Sequence, residues 1–255
     1  MATYKNHNYT INRVGGEGKG SRAGQGIYAE SSTPKFAIGE KLELGDGRVF
    51  RYAYASAAIN ASLLVSQDSV QLIPSDTNGT FTAASAGATS ITVSDSTLGS
   101  ATKDLYAGAY FGNLTNKESY RIKSNTVAAS NIVTFTLYDP IVTAVTSSDD
   151  YVITGGLYNG TITATVAGGS YDRVVGVSPF AITSGYYFWL QTAGVAFVLG
   201  DAAASIALGD QLQLSDSTAA CVQEEDTGVD TIIVGQALQA GGNSAYIHVR
   251  LNLGV

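Results

Sequence analysis

Near its C-terminus the chain reads "SAYIHVRLNL", an unbroken alternation of Ala245, Ile247, Val249, Leu251 and Leu253 with Tyr246, His248, Arg250 and Asn252. A period of two places successive side chains on opposite faces of a pleated strand, so one set is predicted to face a core and the other solvent. The pattern recurs in "NIVTFTLYD", where Val133, Phe135 and Leu137 alternate with Thr134, Thr136 and Tyr138. It recurs again in "TITATV", where Ile162, Ala164 and Val166 alternate with three Thr. Thr suits the half-buried outer face of a sheet. Clusters of Gly, Asn, Asp and Ser separate these short runs. "GDG" at Gly45–Gly47 and Asn78–Gly79 predict hairpin turns. "SDST" follows a strand end twice, at Ser94–Thr97 and Ser215–Thr218, and reads as shared turn chemistry. A short helix competes only in the Ala-rich run Ala55–Val65, and no amphipathic stripe supports it. The fold class that follows is all-β: antiparallel sandwich or barrel modules.

Most of the chain is expected to fold. Disordered chains are charge-rich and poor in aromatics, whereas here charged residues are 14% and there are 15 Tyr and 8 Phe. Residues 1–35 are the exception, being glycine-rich and without a hydrophobic period, and they are predicted to form a flexible or extended arm. A β domain is expected over 36–155 and a C-terminal β module over 156–255. The boundary is placed in the glycine-punctuated stretch Gly155–Asp172.

Charge is uneven. The arm carries Lys5, Arg13, Lys19, Arg22 and Lys35 against Glu17 and Glu30, while the whole chain is at −7. A basic arm on an acidic body predicts a segment that grips an acidic surface. Five cations spread over such a length make a poor phosphate-binding patch, so no specific nucleic-acid partner is expected.

The most apolar run, "SPFAITSGYYFWLQTAGVAFVLGD" (Ser178–Asp201), has the length of a membrane span, but Gly, Ser, Thr and Gln interrupt it and no Lys or Arg flanks it. No membrane partner is expected. The run parses as a hairpin: strand 186–192, an Ala-Gly turn, then strand 195–201. In the first strand Tyr186, Phe188 and Leu190 share one face and Tyr187, Trp189 and Gln191 the other. A strand apolar on both faces is covered on both. The Tyr187–Trp189–Gln191 face is therefore the candidate oligomer interface.

No catalytic, cofactor-binding or metal-ligating residue is assigned. His248 lies on the polar side of its strand, and His7 lies in the arm. The lone Cys221 excludes an intrachain disulfide, and its acidic neighbours raise its pKa. "GGEGKGS" (Gly15–Ser21) lacks the spacing of a phosphate loop, since Gly20 follows Lys19. The acid clusters at Ser147–Tyr151 and Gln223–Asp230 lack the calcium-loop pattern. "MATYKNHNYT" carries no basic-then-apolar signal, which predicts synthesis in a cytoplasm.

Three segments together resemble tailed-bacteriophage head proteins. "FAIGEKLELGDGRVFRYAYAS" looks like their opening, with a D-G-R-x-F-R-Y strand after a glycine-rich arm. Lys103–Val145 is similar to their middle segment, where Y-A-G, Y-x-I and L-x-D-P follow in turn. Y-x-W-x-Q-T-x-G from Tyr187, with "ALGDQLQLSDSTAA" and "IIVGQALQAGGNSAYIHVRLNL", looks like their C-terminal module. The resemblance implies a non-enzymatic capsid decoration (cement) protein. It would bind the major capsid protein on the exterior of the assembled head, as a homotrimer, after synthesis in the host cytoplasm. Two alternatives stay open. One is another virion part, such as a head fibre, a tail or baseplate component or a receptor-binding module. The other is a carbohydrate-binding or carbohydrate-active β-sandwich in which exposed Tyr stack on sugar.

Overall fold

The computed structural model describes residues 9–10, 24–68, 73–76, 79–165, 173–225 and 232–253. Strands make up 47% of the chain and helix 1%, so the class is all-β. The strands in chain order are β1 (Tyr9–Thr10), β2 (Lys41–Leu44), β3 (Val49–Ala55), β4 (Leu64–Gln67), β5 (Ile73–Asp76), β6 (Thr80–Thr82), β7 (Ser90–Ser94), β8 (Tyr110–Asn113), β9 (Glu118–Asn125) and β10 (Ile132–Leu137). They continue as β11 (Tyr151–Thr154), β12 (Asn159–Thr163), β13 (Val174–Val177), β14 (Tyr187–Leu199), β15 (Ser205–Ile206), β16 (Gln211–Leu214), β17 (Val222–Glu224), β18 (Ile233–Ala237), β19 (Gly241–Gly242) and β20 (Tyr246–Asn252). The run 55–65 forms no helix. It holds the end of β3, a bridge from Ile59 to Ile182 and the start of β4.

The division of the chain differs from the sequence expectation. One unit comprises Met1–Gln67 and Gly160–Val255, and the other comprises Asp68–Asn159. The later division falls between Asn159 and Gly160, and residues 36–67 belong with the C-terminal strands. The cause is ring closure. Strands β3, β12, β4, β13 and β14 neighbour one another in that order, and β14 also pairs with β3. A barrel cannot close without its first strands, however far away in sequence the last ones lie.

In the discontinuous unit, whose strands form one 11-stranded sheet, β14 serves two partners in turn. Its first half pairs with β3, with Tyr187 opposite Tyr54, Trp189 opposite Tyr52 and Gln191 opposite Phe50. Its second half pairs with β20, from Ala193 opposite Asn252 to Leu199 opposite Tyr246. Beyond β20 lie β18, β16 and β17, and a parallel bridge from Val222 returns to Gly200 at the end of β14. The hairpin expected at Ala193–Gly194 is therefore absent, and the chain runs on as one strand. The register shifts between Gln191 and Ala193, and Gly194 has φ +82°. A Cβ on Gly194 would sit 2.7 Å from the Gly47 carbonyl oxygen. Thr192, the extra residue at the shift, makes a bulge where the strand changes partners, and Gly194 lets the backbone pass close to the β2–β3 turn.

The alternation in β20 holds: Ile247, Val249 and Leu251 are buried, and Tyr246, His248, Arg250 and Asn252 are exposed. It also holds in β10, where Val133, Phe135 and Leu137 are buried. It fails in β12. Thr161 is fully buried and Ile162 only half-buried, because the Thr161 hydroxyl is satisfied by the Tyr54 carbonyl at 3.0 Å. The "GDG" turn joins β2 to β3 as expected, with Gly47 at φ +85°.

The contiguous unit is a seven-stranded sheet in the order β5-β11-β8-β9-β10-β7-β6. Its core centres on Phe81, Phe111, Phe135 and Tyr151, with Phe111 and Tyr151 stacked at 5.7 Å. Of the hairpin expected at Asn78–Gly79, Asn78 lies outside the described residues, and the flanking strands do not pair with each other: β5 pairs with β11 and β6 with β7. A Cβ on Gly79 would lie 2.5 Å from the Tyr151 ring, so this glycine serves a close approach instead. The two "SDST" turns also differ. In the first, Asp95 accepts from the Thr97 amide at 2.7 Å. In the second, Ser215 Oγ accepts from the Thr218 amide at 2.8 Å.

Candidate interaction surfaces

Of the five arm cations, Lys5, Arg13, Lys19 and Arg22 lie outside the described residues. Lys35 is exposed, and its backbone N–H donates to the Tyr52 hydroxyl at 3.1 Å. From Gly24 onward the segment expected to be a loose arm is bound to its own body. Gln25 organises it. The Gln25 Nε2 donates to the Ala29 and Tyr187 carbonyls at 2.6 and 2.5 Å. Its Oε1 accepts from the Tyr52 hydroxyl at 2.7 Å. Its backbone carbonyl accepts from the Trp189 indole at 2.8 Å. Further along, the Glu30 carboxylate accepts from the amide and the hydroxyl of Thr183, each at 2.7 Å. Ser31 exchanges two backbone hydrogen bonds with Tyr187. Nearer the N-terminus, β1 pairs with β2.

This segment answers what covers the Tyr187–Trp189–Gln191 face. Trp189 is 3% exposed, with the Phe36 and Tyr52 rings each at 5.0 Å. Gln191 is 4% exposed, and its Nε2 donates to the Ala193 and Val195 carbonyls. Tyr187 is half-buried and stacks on Tyr52. Within the chain, Gln25 and Phe36 thus cover Trp189, and Gln25 and Ser31 bind Tyr187, while the nearly buried Gln191 lies beside the β14 bulge. Burial, first of all, pushes the Tyr52 hydroxyl up to about 12, so it remains a hydrogen-bond donor at neutral pH.

The remaining chemistry-bearing groups are spoken for individually. Cys221 is buried; desolvation, with a smaller contribution from Asp201, pushes its thiol up and away from the reactive thiolate. Burial also pushes the Asp201 carboxyl up. Hydrogen bonds from Ser215, the Ala203 amide and Ser217 outweigh it and hold the group below the usual carboxylate range. Asp149, in the first acid cluster, accepts from Asn113 and Thr146 at 2.8 and 2.7 Å and caps a turn. The "GGEGKGS" loop and residues 226–230 of the second acid cluster lie outside the described residues. Among the described residues no group of three or more His, Cys, Asp or Glu is placed to hold a metal ion. No helix among them is long and apolar enough to cross a membrane.

What the surface does offer is aromatic. On the discontinuous unit Phe197 and Tyr246, both about half exposed, stack at 5.4 Å on β14 and β20, with His248 at 5.0 Å from Phe197. On the contiguous unit Arg121 lies 4.9 Å over the Tyr138 ring and opposite Tyr110 in the next strand. The sequence reading took Phe197 for part of an apolar run. Only the strand register shows that it points outward, between buried Ala196 and Val198. No family model, no curated protein and no solved structure matches the chain.

Proposed function

We propose that the chain is a non-enzymatic structural protein of a tailed-bacteriophage virion. In this reading it is a capsid decoration protein that binds the major capsid protein on the outside of the assembled head, as a homotrimer. The observation that supports it is where the resembling segments fall. D-G-R-x-F-R-Y is the β2–β3 turn with β3. Y-x-I and L-x-D-P belong to β9 and the end of β10. Y-x-W-x-Q-T-x-G is the bent half of β14, and I-x-G-x-A-L is β18. The likeness therefore runs through the framework strands of both units and is not confined to one loop. The basic, glycine-rich stretch 11–23 follows β1 and precedes the Gln25 anchor, on a chain that is acidic elsewhere. Cations concentrated in one segment of an otherwise acidic chain favour an acidic partner surface.

Purified protein mixed with heads that lack it tests the reading. Saturable binding and a higher temperature of head disruption are expected. Heads that neither bind the protein nor gain resistance to heat overturn it. A mass measurement in solution and on the head reads the trimer.

A further inference from the structure

Beside the exposed Phe197 lies a cleft of about 400 Å³ that no step of the argument above requires. It opens where the β2–β3 turn, the bulge of β14 and the outer face of β20 meet. Its volume falls in the range of small-molecule sites, roughly 300–1,000 Å³.

The polar atoms in this cleft are of both kinds, and several keep unused capacity. Gln191 is 4% exposed, and its Nε2 donates to the Ala193 and Val195 carbonyls at 3.2 and 2.9 Å. Its Oε1 is left as a fixed acceptor on the cleft wall. Arg48 is held by Asp46, with Nε 2.8 Å from Oδ2, and its Nη1 lies 3.5 Å from the Tyr28 hydroxyl. Among the described residues no hydrogen bond engages its Nη2, which leaves a donor for a ligand. His248 Nδ1 lies 3.1 Å from Gln239 Oε1 and, facing an acceptor, carries the proton. In the neutral ring that leaves Nε2 as a second acceptor. The apolar lining is Val177, Pro179 and the ring of Phe197, which is 46% exposed.

Three ligand classes fit this inventory poorly. An anion meets a guanidinium already neutralised by Asp46 at 2.8 Å. A cation finds a single carboxylate, engaged by the same arginine. A wholly apolar ligand strips water from Gln191 Oε1 and Arg48 Nη2 and returns no hydrogen bond, which costs more than its burial gains. The remaining class is neutral, carries donors and acceptors together, and has one apolar face to lay on an aromatic ring. We infer that the cleft binds a pyranose residue of a neutral saccharide, with the C–H face of the sugar on Phe197 and its hydroxyls between Gln191 Oε1, Arg48 Nη2 and His248 Nε2. This inference does not rest on the capsid reading, and it holds for a protein of any location.

Titration of the ¹⁵N-labelled full chain with the methyl pyranosides of glucose, galactose, mannose and N-acetylglucosamine tests it, with inorganic phosphate as the anionic comparison. At least one glycoside is expected to bind with a Kd of about 1–10 mM, moving the Gln191 side-chain amide signal. Phe197→Ala is expected to weaken that binding at least about tenfold, while Phe197→Tyr, which keeps the ring, stays within about threefold. Phe197 is surface-exposed, so both variants keep the wild-type fold, and the emission of Trp189 verifies it. Arg48→Met removes the donor and weakens binding without touching the ring. Failure of every glycoside to saturate overturns the inference. So does binding that Phe197→Ala leaves unchanged, or saturation by phosphate in place of the sugars.

Discussion

Replacement of Gln25 by Ala probes the anchoring of the N-terminal segment directly. The variant loses a part-buried bond from Nε2 to the Tyr187 carbonyl and an exposed one to the Ala29 carbonyl. At net values of about 0.5–1.5 kcal/mol each, with the exposed bond at the low end, these amount to about 1–2 kcal/mol. The third loss is of another kind. Tyr52 is fully buried and its hydroxyl donates to Gln25 Oε1. Without that acceptor a buried donor is stranded, at a cost of about 1–3 kcal/mol. The expected destabilisation is about 2–5 kcal/mol, a large share of a typical domain stability of about 5–15 kcal/mol. The stranded-donor share disappears when Tyr52 is changed to Phe as well. The double variant is therefore expected to be at least about 1 kcal/mol more stable than the sum of the single losses predicts. Urea unfolding followed by tryptophan emission is the assay, since Trp189 is the only Trp and lies against this segment. Truncation separates the anchor from what precedes it. Removal of residues 1–23 is expected to leave native emission unshifted, whereas removal of 1–35 strips Gln25 and Ile27 away and shifts it to the red. A Gln25→Ala midpoint within error of wild type, with additive Tyr52→Phe, refutes this account of the anchor.

Gly194→Ala is expected to cost at least about 2–3 kcal/mol, because the residue has φ +82° and its Cβ meets backbone atoms at 2.7 Å; thermal unfolding reads it. Asp201 supplies an acid-side prediction. Its folded pKa is depressed, so its stabilisation is complete above the unfolded value of about 3.9 and is lost as pH falls through the folded value. Asp201→Asn is expected to lower stability at neutral pH by about 1–3 kcal/mol and to flatten the acid limb of the stability profile measured by urea titration at successive pH values. Excision of the contiguous unit, by joining Gln67 to Thr161 through Asn-Gly, is expected to leave a folded barrel. Gln67 and Thr161 are opposite each other in the β4–β12 pair, and a two-residue turn fits that geometry. A cooperative unfolding transition with buried Trp189 emission is the readout, and a molten or aggregated product contradicts the prediction.

Strands whose partners do not alter their facing were legible in the sequence. β10 and β20 alternate as written, and Gly47 turns β2 into β3. The failures share one physical cause, which is that the deciding partner lies far along the chain. Gly194 reads as a turn in any local window. It sits inside a continuous strand, because the backbone of Gly47 and Arg48 closes over it. Thr161 reads as an outward residue, yet the Tyr54 carbonyl receives its hydroxyl inside the barrel. Gln25 stands in a stretch without any period, and its importance comes from Tyr52, Tyr187 and Trp189. The saccharide cleft is the extreme case. Arg48, Gln191, Phe197 and His248 come from two strands and a turn, and no local window brings them together.

The same long-range pairings pose a kinetic difficulty that the chain resolves by its order of strands. Closure of the β4–β12 pair spans the whole of Asp68–Asn159. For a flexible loop of roughly 90 residues the closure entropy exceeds that of one near ten residues by about 2 kcal/mol. Yet the first and last strands of the inserted unit, β5 and β11, pair with each other, with Tyr151 opposite Asp76 and Ile153 opposite Ile73. Once that unit has folded, its two ends leave side by side. The effective loop then shrinks to the two short connections that lead to Gln67 and Asn159. The contiguous unit has its own aromatic core and needs no strand from outside it. It can form first and deliver β4 and β12 as near neighbours, after which β13 and the bent β14 complete the ring. Folding of the insertion therefore removes most of the closure cost that its length would otherwise impose, which explains why so long a segment is tolerated between two paired strands.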